Sequence, residues 1–341
     1  EIYTLSLHDA LPIWSAIITS IASDKHPVLS RFAQEAALHS VRFMVIGDKK
    51  SPTFHLDGCD FFSIERQCVM PYTLARLLPF GHYARKNLGY LEAARHGAEI
   101  IIETDDDNYP ETCFWRERNK MVTAHCLKEK GWVNMYGYYT RSIVWPRGFA
   151  LEHIQSELPE LEPLQKILAP IQQGLADLNP DVDAIYRLTQ PLPVSFQKEP
   201  KRIALGHGSI CPFNSQNTTW FREAFPLMYL PSYCSFRMTD IWRSFVAQRI
   251  AWTCGWNILF HEATVWQERN EHAIIKDFKD EISGYCNNRE IMDRLMQLDL
   301  KEGVEAIPEN LIRCYRAFVE MSLIEEKELT LLDAWITDIN S

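Results

Sequence analysis

Short apolar runs alternate with stretches of helical period through the first third of the chain. Ala16 to Ile21 is an apolar run of strand length, followed by a helical stretch over about 27–39 with Pro27 near its start. Val41 to Ile46 reads as a second strand ended by Gly47-Asp48, and Cys59 to Ile64 as a third. A helix over about 83–96, with Leu88, Leu91 and Ala94 on one face, stops at Gly97 and feeds a fourth strand, Glu99 to Thr104. Strands separated by helices predict an α/β fold with a mostly parallel sheet flanked by helices. Ligands of such sheets bind at the carboxyl ends of the strands, so the residues just after each strand are where chemistry is expected.

Further along, residues 151–200 are rich in Pro, Leu and Glu without a clear period, and read as helical turns and loops. Val194 to Pro212 is expected to return to the sheet. A strong helix is predicted over 239–253, where Ile241, Trp242, Phe245 and Ile250 recur at helical spacing. Ile258 to Phe260 follows as another strand. The tail from Asn287 is helical and charged, and is expected to pack on the outside. This divides the chain into a domain over 14–286, with halves 14–150 and 151–286, and a helical C-terminal extension over 287–341. Thr4 to Ile13 resembles one reading frame of a common sequencing adapter; residues 1–13 therefore read as a cloning scar and are set aside from the fold.

Composition narrows the classes. With 35 Lys+Arg against 45 Asp+Glu the formal net charge is −10, which disfavours a broad phosphate-facing surface and hence nucleic acid as a partner. No apolar run approaches the roughly 20 residues needed to span a bilayer. Nine cysteines are dispersed without metal-ligand spacing, which reads as reduced thiols and a cytoplasmic location.

The sharpest local feature is Asp105-Asp106-Asp107-Asn108, directly after the fourth strand. Adjacent carboxylates repel one another unless solvated or neutralised by a cation. Continued extended geometry would point Asp105 and Asp107 together and Asp106 away. Two carboxylates completed by water and phosphate oxygens suit Mg²⁺ or Mn²⁺. A solvated acidic turn capping the next helix is the plainer alternative.

In context the stretch Ala84 to Pro110, ARKNLGYLEAARHGAEIIIETDDDNYP, resembles the nucleotide-sugar signature of GT-A glycosyltransferases: a basic residue and Asn, then Gly, an alanine-rich helix, an apolar strand and Asp-x-Asp. Glu103-Thr104 departs from it, since apolar residues usually precede the first Asp. The phrases RKNLGYLEAARHGA, RSIVWPRGFALEHI, IQQGLADLNPDVDAIYRLT and MTDIWRSFVAQRIAW resemble the STELLO glycosyltransferase family across most of 14–270, whereas the tail after about 290 finds no counterpart. Its eukaryotic members are Golgi membrane proteins with an upstream anchor, so a Golgi location is implied if the chain is eukaryotic and an anchor is missing. A more distant similarity links Arg147-Gly148-Phe149 to reversibly glycosylated polypeptides, nucleotide-sugar mutases in which that Arg is glycosylated.

The resemblance implies a metal-dependent hexosyl- or pentosyltransferase of GT-A type, acting in polysaccharide biosynthesis. It would move sugar from a nucleotide-sugar donor, a UDP-sugar by this reading, to a glycan or glycolipid acceptor. A mutase or self-glycosylating protein, or a non-catalytic regulator of a glycan synthase, are the alternatives. Asp105 and Asp107 would hold the cation, with His261 as third ligand and His272 equally placed by chain order. Thr19 and Ser20 end the first strand and Asp48 the second, where this class holds uridine and ribose. Arg85 and Lys86, with Asn87 in the same motif, would neutralise the diphosphate. Arg147 is carried over as a donor-site residue. Asp240, at the start of the strong helix, is the expected catalytic base, and Arg243, on the same helical face, its partner.

Overall fold

A computed structural model describes residues 14–199, 201–268 and 273–341. The adapter-like segment 1–13 and His272 lie outside the described residues. β1 (Trp14–Thr19) is followed by α1 (Pro27–Leu38), β2 (Arg42–Ile46), β3 (Asp60–Phe62), the short helices α2 (Ile64–Cys68) and α3 (Thr73–Leu77), α4 (Lys86–Arg95) and β4 (Ile100–Thr104). Next come β5 (Asn108–Pro110), β6 (Met121–Leu127), β7 (Gly131–Trp132), β8 (Gln165–Leu168), β9 (Ile171–Asp177) and α5 (Ala184–Thr189). β10 (Ile203–Leu205), β11 (Ser209–Ile210), β12 (Asn217–Phe221), α6 (Thr239–Thr253) and β13 (Ile258–Gln267) precede the tail helices α7 (Ile274–Met296), α8 (Ile307–Glu320) and α9 (Glu328–Ile339).

Eleven strands form one sheet in the order β3-β2-β1-β4-β12-β9-β13-β10-β6-β8, with β5 paired to β13. β3, β2, β1 and β4 are parallel, β12 is antiparallel to both neighbours, and β9 and β13 are again parallel to each other. Most strands therefore share one direction, and β12, β10, β6 and β5 oppose it. This is the α/β, mostly parallel, helix-flanked sheet that the alternating pattern predicts.

Strand alternation splits the interior into two layers. Ile17 of β1 faces α4 and the main core, while Ala16 and Ile18 face α1 with Phe32 and Phe43. α4 crosses β1 and β2 so closely that a Cβ on Gly89 would lie 2.8 Å from Ile17 and 3.0 Å from Ile46. That is the packing reason for the glycine in the motif's helix. Among the described residues no helix is long and apolar enough to cross a membrane.

Two expectations fail here. Residues 151–200 carry β8 and β9, and β9 lies inside the sheet between β12 and β13. Both β9 and β12 are buried yet polar, so neither shows the apolar signature of a strand. Gln172 donates to the carbonyls of Asn119 and Ala169 (2.9 and 3.0 Å), and Gln173 donates to that of Asn217 (3.1 Å). The second failure is the tail, which is helical as predicted but does not sit outside. Leu332 and Trp335 are fully buried in the main core, and Trp335 Nε1 donates to the Pro226 carbonyl at 2.9 Å. Asp338 accepts from the Thr73 and Leu74 amides at the start of α3 (3.1 and 2.8 Å).

Because the tail completes the core, Trp335→Ala is expected to cost about 3–5 kcal/mol, as large core deletions do. Urea unfolding of the full chain measures this. A loss within about 0.5 kcal/mol, typical of surface substitutions, would show that the tail is peripheral.

Candidate active site

β4 ends at Thr104 and the chain turns at once, with the Asn108 amide donating to the Asp105 carbonyl at 3.3 Å. The turn brings Asp105, Asp106 and Asp107 together onto one cavity of about 280 Å³. The expected outward orientation of Asp106 does not hold, because a turn replaces the extended geometry it assumed. Asp106 instead accepts from Ser20 Oγ at 2.5 Å, tying the acidic loop to the end of β1. Asp107 accepts from Gln267 Nε2 at 2.9 Å, at the far end of β13.

Lys86 begins α4 beneath this loop. Its side chain is buried and donates to the Thr104 carbonyl (2.8 Å) and to Asp105 Oδ1 (3.1 Å). Burial pushes the Asp105 carboxyl up to about 7; Lys86 pulls it back, and Asp107 and Asp240 push it further. An ammonium in this position offsets one carboxylate of a loop that carries three.

The opposite wall is built on Arg147. Its Nε and Nη2 donate to the two oxygens of Asp181 (2.8 and 2.7 Å), and Nη1 and Nη2 to those of Asp240 (3.1 and 2.9 Å). Nη1 also donates to the Arg237 carbonyl. All five guanidinium N–H groups are thereby engaged. The next residue must be glycine: Gly148 has φ +82°, and a Cβ there would lie 2.3 Å from Ile241 of α6.

This wall corrects two expectations. Arg147 has no N–H left for a diphosphate, so it is not the donor-site contact that the sequence suggests. Asp240 lines the cavity, as expected, but its carboxylate also accepts from Tyr83 Oη (3.2 Å) and from the Ser215 amide (3.1 Å) and hydroxyl (3.3 Å). Burial alone would raise its pKa, yet the Arg147 guanidinium holds it well below the usual carboxylate range. A carboxylate so engaged and so acidic is a poor proton acceptor, and Asp240 acts as a structural anchor.

Arg243 is turned the other way. It lies in the core under the cleft, pairing with Glu103 (Nη1 2.9 Å, Nη2 2.8 Å) over the Trp220 ring. Glu103 also accepts from Trp220 Nε1 at 2.9 Å and from Tyr90 Oη. Glu103, the departure from the GT-A motif, therefore has a use: it neutralises Arg243, which is not a site residue. Asn87 is also absent from the cavity wall, since its amide clamps the Leu230 backbone, donating to its carbonyl and accepting from its N–H (both 2.9 Å).

His261 does not join the acidic loop. It lies six residues before Gln267 on β13, roughly 20 Å back along the strand, and lines a different cavity. No group of three or more His, Cys, Asp and Glu side chains that could hold a metal ion occurs among the described residues.

A second cavity of about 620 Å³ adjoins the first, sharing Thr19, Tyr83, Asp106 and Phe236 with it. Ser20, Asp48 and Arg85 all line it, which brings together the remaining site candidates. Asp48 accepts from the Gly81 and His82 amides (2.8 and 3.2 Å), and His82 stacks on Tyr83. Burial drops the His82 imidazole to about 4, so the ring is neutral. Arg85 is buried, its Nε donating to Gln67 (2.6 Å) and its Nη1 to the Leu78 carbonyl (3.1 Å). Its Nη2 has no hydrogen-bond partner among the described residues.

Sequence reasoning missed Tyr83, Asp181, Ser215, Arg237 and Gln267. Asp181 stands in the phrase NPDVDAIYRLT and Arg237 directly before the strong helix, but only the fold sets them against Arg147.

The Arg147 clamp generates a measurable cost. Asp240→Asn keeps the side chain's shape but leaves part of a buried guanidinium uncompensated, so a loss of about 3 kcal/mol is expected. The depressed carboxyl contributes stability above its unfolded pKa, and that contribution is lost as pH falls through the lower folded value. The deficit of the variant should therefore shrink in acid. Melting curves at pH 7 and pH 3 check both statements, and a variant as stable as wild type at pH 7 would refute the clamp.

The family model of the STELLO glycosyltransferases matches residues 237–341, which include the tail that finds no counterpart among the sequence phrases. Two Arabidopsis thaliana proteins are similar over most of the chain. Probable glycosyltransferase STELLO2 is 27% identical over 318 residues, covering 87% of this chain and 41% of that protein. Probable glycosyltransferase STELLO1 is 26% identical with the same coverage. The chain thus spans about 41% of the length of these relatives. Similarity to solved structures is loose. A mycobacterial protein gives a TM-score of 0.38 at 10% identity, over 81% of this chain and 74% of that one. The mannosyltransferase PcManGT from Pyrobaculum calidifontis, in complex with GDP-Man and Mn2+, gives 0.37 at 9%, over 97% and 88%. By the family model over residues 237–341 and by two relatives along most of its length, the chain is similar to the STELLO glycosyltransferases.

Proposed function

We propose that this chain is a metal-dependent glycosyltransferase of GT-A type that takes a nucleotide-sugar donor, a UDP-sugar, and transfers its hexosyl or pentosyl group to a hydroxyl of a glycan or glycolipid. The observation that carries the reading is the joined cavity at the carboxyl ends of β1, β2 and β4, acidic on one side and aromatic on the other. Five carboxylates line the acidic part against three guanidiniums. A diphosphate entering that field would be repelled unless a divalent cation came with it. The donor set fits a hard cation: Asp105 and Asp107 offer carboxylate oxygens, and a cation would relieve the repulsion from Asp107 that adds to the effect of burial on Asp105. When bound, Mn²⁺ or Mg²⁺ would supply charge neutralisation for the diphosphate as it leaves.

The chain's own residues divide the remaining work. Lys86 steadies Asp105 from below and sets its orientation. Thr19 and Ser20 place hydroxyls at the junction of the two cavities. In the larger one, the buried Arg85 Nη2 offers a donor for a base carbonyl, and His82 and Phe236 offer ring faces for the base. The walls around Arg147 and Asp240 hold the sugar end of the cleft in shape.

Arg147 as a self-glycosylated nucleophile fits poorly, because a guanidinium engaged through all five N–H groups presents no nitrogen for attack. A mutase of that kind predicts ring-form exchange of the donor, and a non-catalytic regulator predicts no turnover. Product analysis with UDP- and GDP-sugars, Mn²⁺ and a glycan acceptor separates these outcomes: the proposal expects UDP and a new glycoside. Asp105→Asn and Asp107→Asn should each lower turnover by on the order of 10²-fold, the size of effect found when one electrostatic stabiliser is removed. Ring-form exchange alone, or no turnover across the panel, would overturn it.

The pH dependence has a definite sign. A cation binds the deprotonated Asp105, so its affinity should climb as pH rises towards about 7 and level off above. Mn²⁺ titration calorimetry between pH 5.5 and 8.5 tests this. An affinity independent of pH would remove Asp105 from the cation site.

A further inference from the structure

A third cavity, of about 320 Å³, opens elsewhere on the sheet, away from the acidic cleft and against β9 and β13. Arg116 and Arg118, from the loop between β5 and β6, and Arg202, just before β10, converge on it. The counter-charge is thin. Glu117 and Glu262 line the same space, and among the described residues the ion pair at this cavity is Arg116 with Glu262 at 3.8 Å. Arg118 donates to the Arg116 carbonyl at 3.1 Å and lies over the rings of Trp14 and Phe114. No ion pair or side-chain hydrogen bond reaches the Arg202 guanidinium among the described residues. The floor is polar, with Gln172 and Thr264 each about 4% exposed.

Three guanidiniums around one cavity repel one another, and in a chain with a net charge of −10 carboxylates for pairing them are plentiful. Among the described residues, Arg116 takes the ion pair with Glu262, Arg118 has only a longer-range attraction to that same carboxylate, and no carboxylate pairs with Arg202. From this convergence we propose that the cavity binds an oxyanion, the phosphate or carboxylate group of a small molecule or a saccharide, gripped between Arg118 and Arg202. Arginine suits the task, because its fork of N–H groups matches two oxygens of a phosphate or carboxylate at once. The neutral state of His261 agrees: burial, then Arg118 and Arg202, push its imidazole down to about 3, while its Nδ1 lies 3.0 Å from the Glu262 carbonyl. A bound anion would offset those two charges, so His261 is a built-in reporter of occupancy.

The test uses the full chain, labelled for ring ¹⁵N NMR of histidine, titrated at constant ionic strength with inorganic phosphate in one arm and D-glucuronate in the other. Saturable movement of the His261 signals is expected in at least one arm, and the arm that responds tells phosphate from sugar carboxylate. Arg202→Gln, on an exposed side chain, should fold normally and weaken binding roughly tenfold or more, the loss of a charge-assisted pair. Arg118→Lys, which keeps the charge but not the fork, should weaken it less. Two results would overturn the proposal: no saturable movement in either arm, or equal affinity in wild type and Arg202→Gln.

Discussion

The cleft depends on one buried guanidinium. Arg147 joins three segments that are distant in sequence: its own loop, the loop after β9 through Asp181, and the start of α6 through Asp240. Arg147 and Asp240 are buried and Asp181 is half-buried, which makes the arrangement stable only as a complete set. Burial works against the charged arginine, but two carboxylates hold it protonated. Remove any member and the remaining charges lose their compensation in a poorly solvated place. This explains why the residues most suggestive of catalysis in the sequence are instead the ones that fix the cleft's shape.

The same logic repeats one layer down. Glu103 and Arg243 neutralise each other directly beneath the acidic loop, with Trp220 and Tyr90 filling the remaining hydrogen bonds of the carboxylate. Lys86 then offsets Asp105 at the cleft floor. Charge is matched step by step from the core outward, until the loop at 105–107 is reached. There carboxylates exceed cations, and burial, with a further push from Asp107 and Asp240, raises the Asp105 carboxyl. A gradient of this kind suits a site whose last counter-charge arrives with the ligand.

The tail helices enter the site through two buried carboxylates. Glu281 of α7 accepts from Arg237 Nε (3.0 Å) and from the Ala184 amide that begins α5 (2.7 Å). Glu328 of α9 accepts from the Ser232 and Tyr233 amides, within the loop that leads to Phe236 and Arg237. One wall of the cleft is thus held from behind by helices that are last in the chain. That the family model matches 237–341 agrees with this construction: α6, β13 and the tail share one core.

The sequence by itself determined the α/β class, the first four strands with their helices, and the acidic loop at the end of β4. Each of these is local: apolar runs of strand length, helical spacing, glycine stops, and three consecutive carboxylates. It also pointed to Thr19, Ser20 and Asp48 sharing one region, because residues after parallel strands gather at one edge of the sheet, whereas Arg85, which precedes α4, joins them only in the fold. The tertiary structure decided what periodicity does not encode. β9 and β12 are buried through satisfied Gln, Asn and Thr side chains, so no hydrophobic pattern marks them. A turn, not an extended strand, sets the direction of Asp106. Asp240 and Arg243 share a helical face, as their spacing requires, yet one meets Arg147 and the other Glu103. The nearest opposite charge in space fixes the role of each, and that neighbour lies more than 90 residues away along the chain.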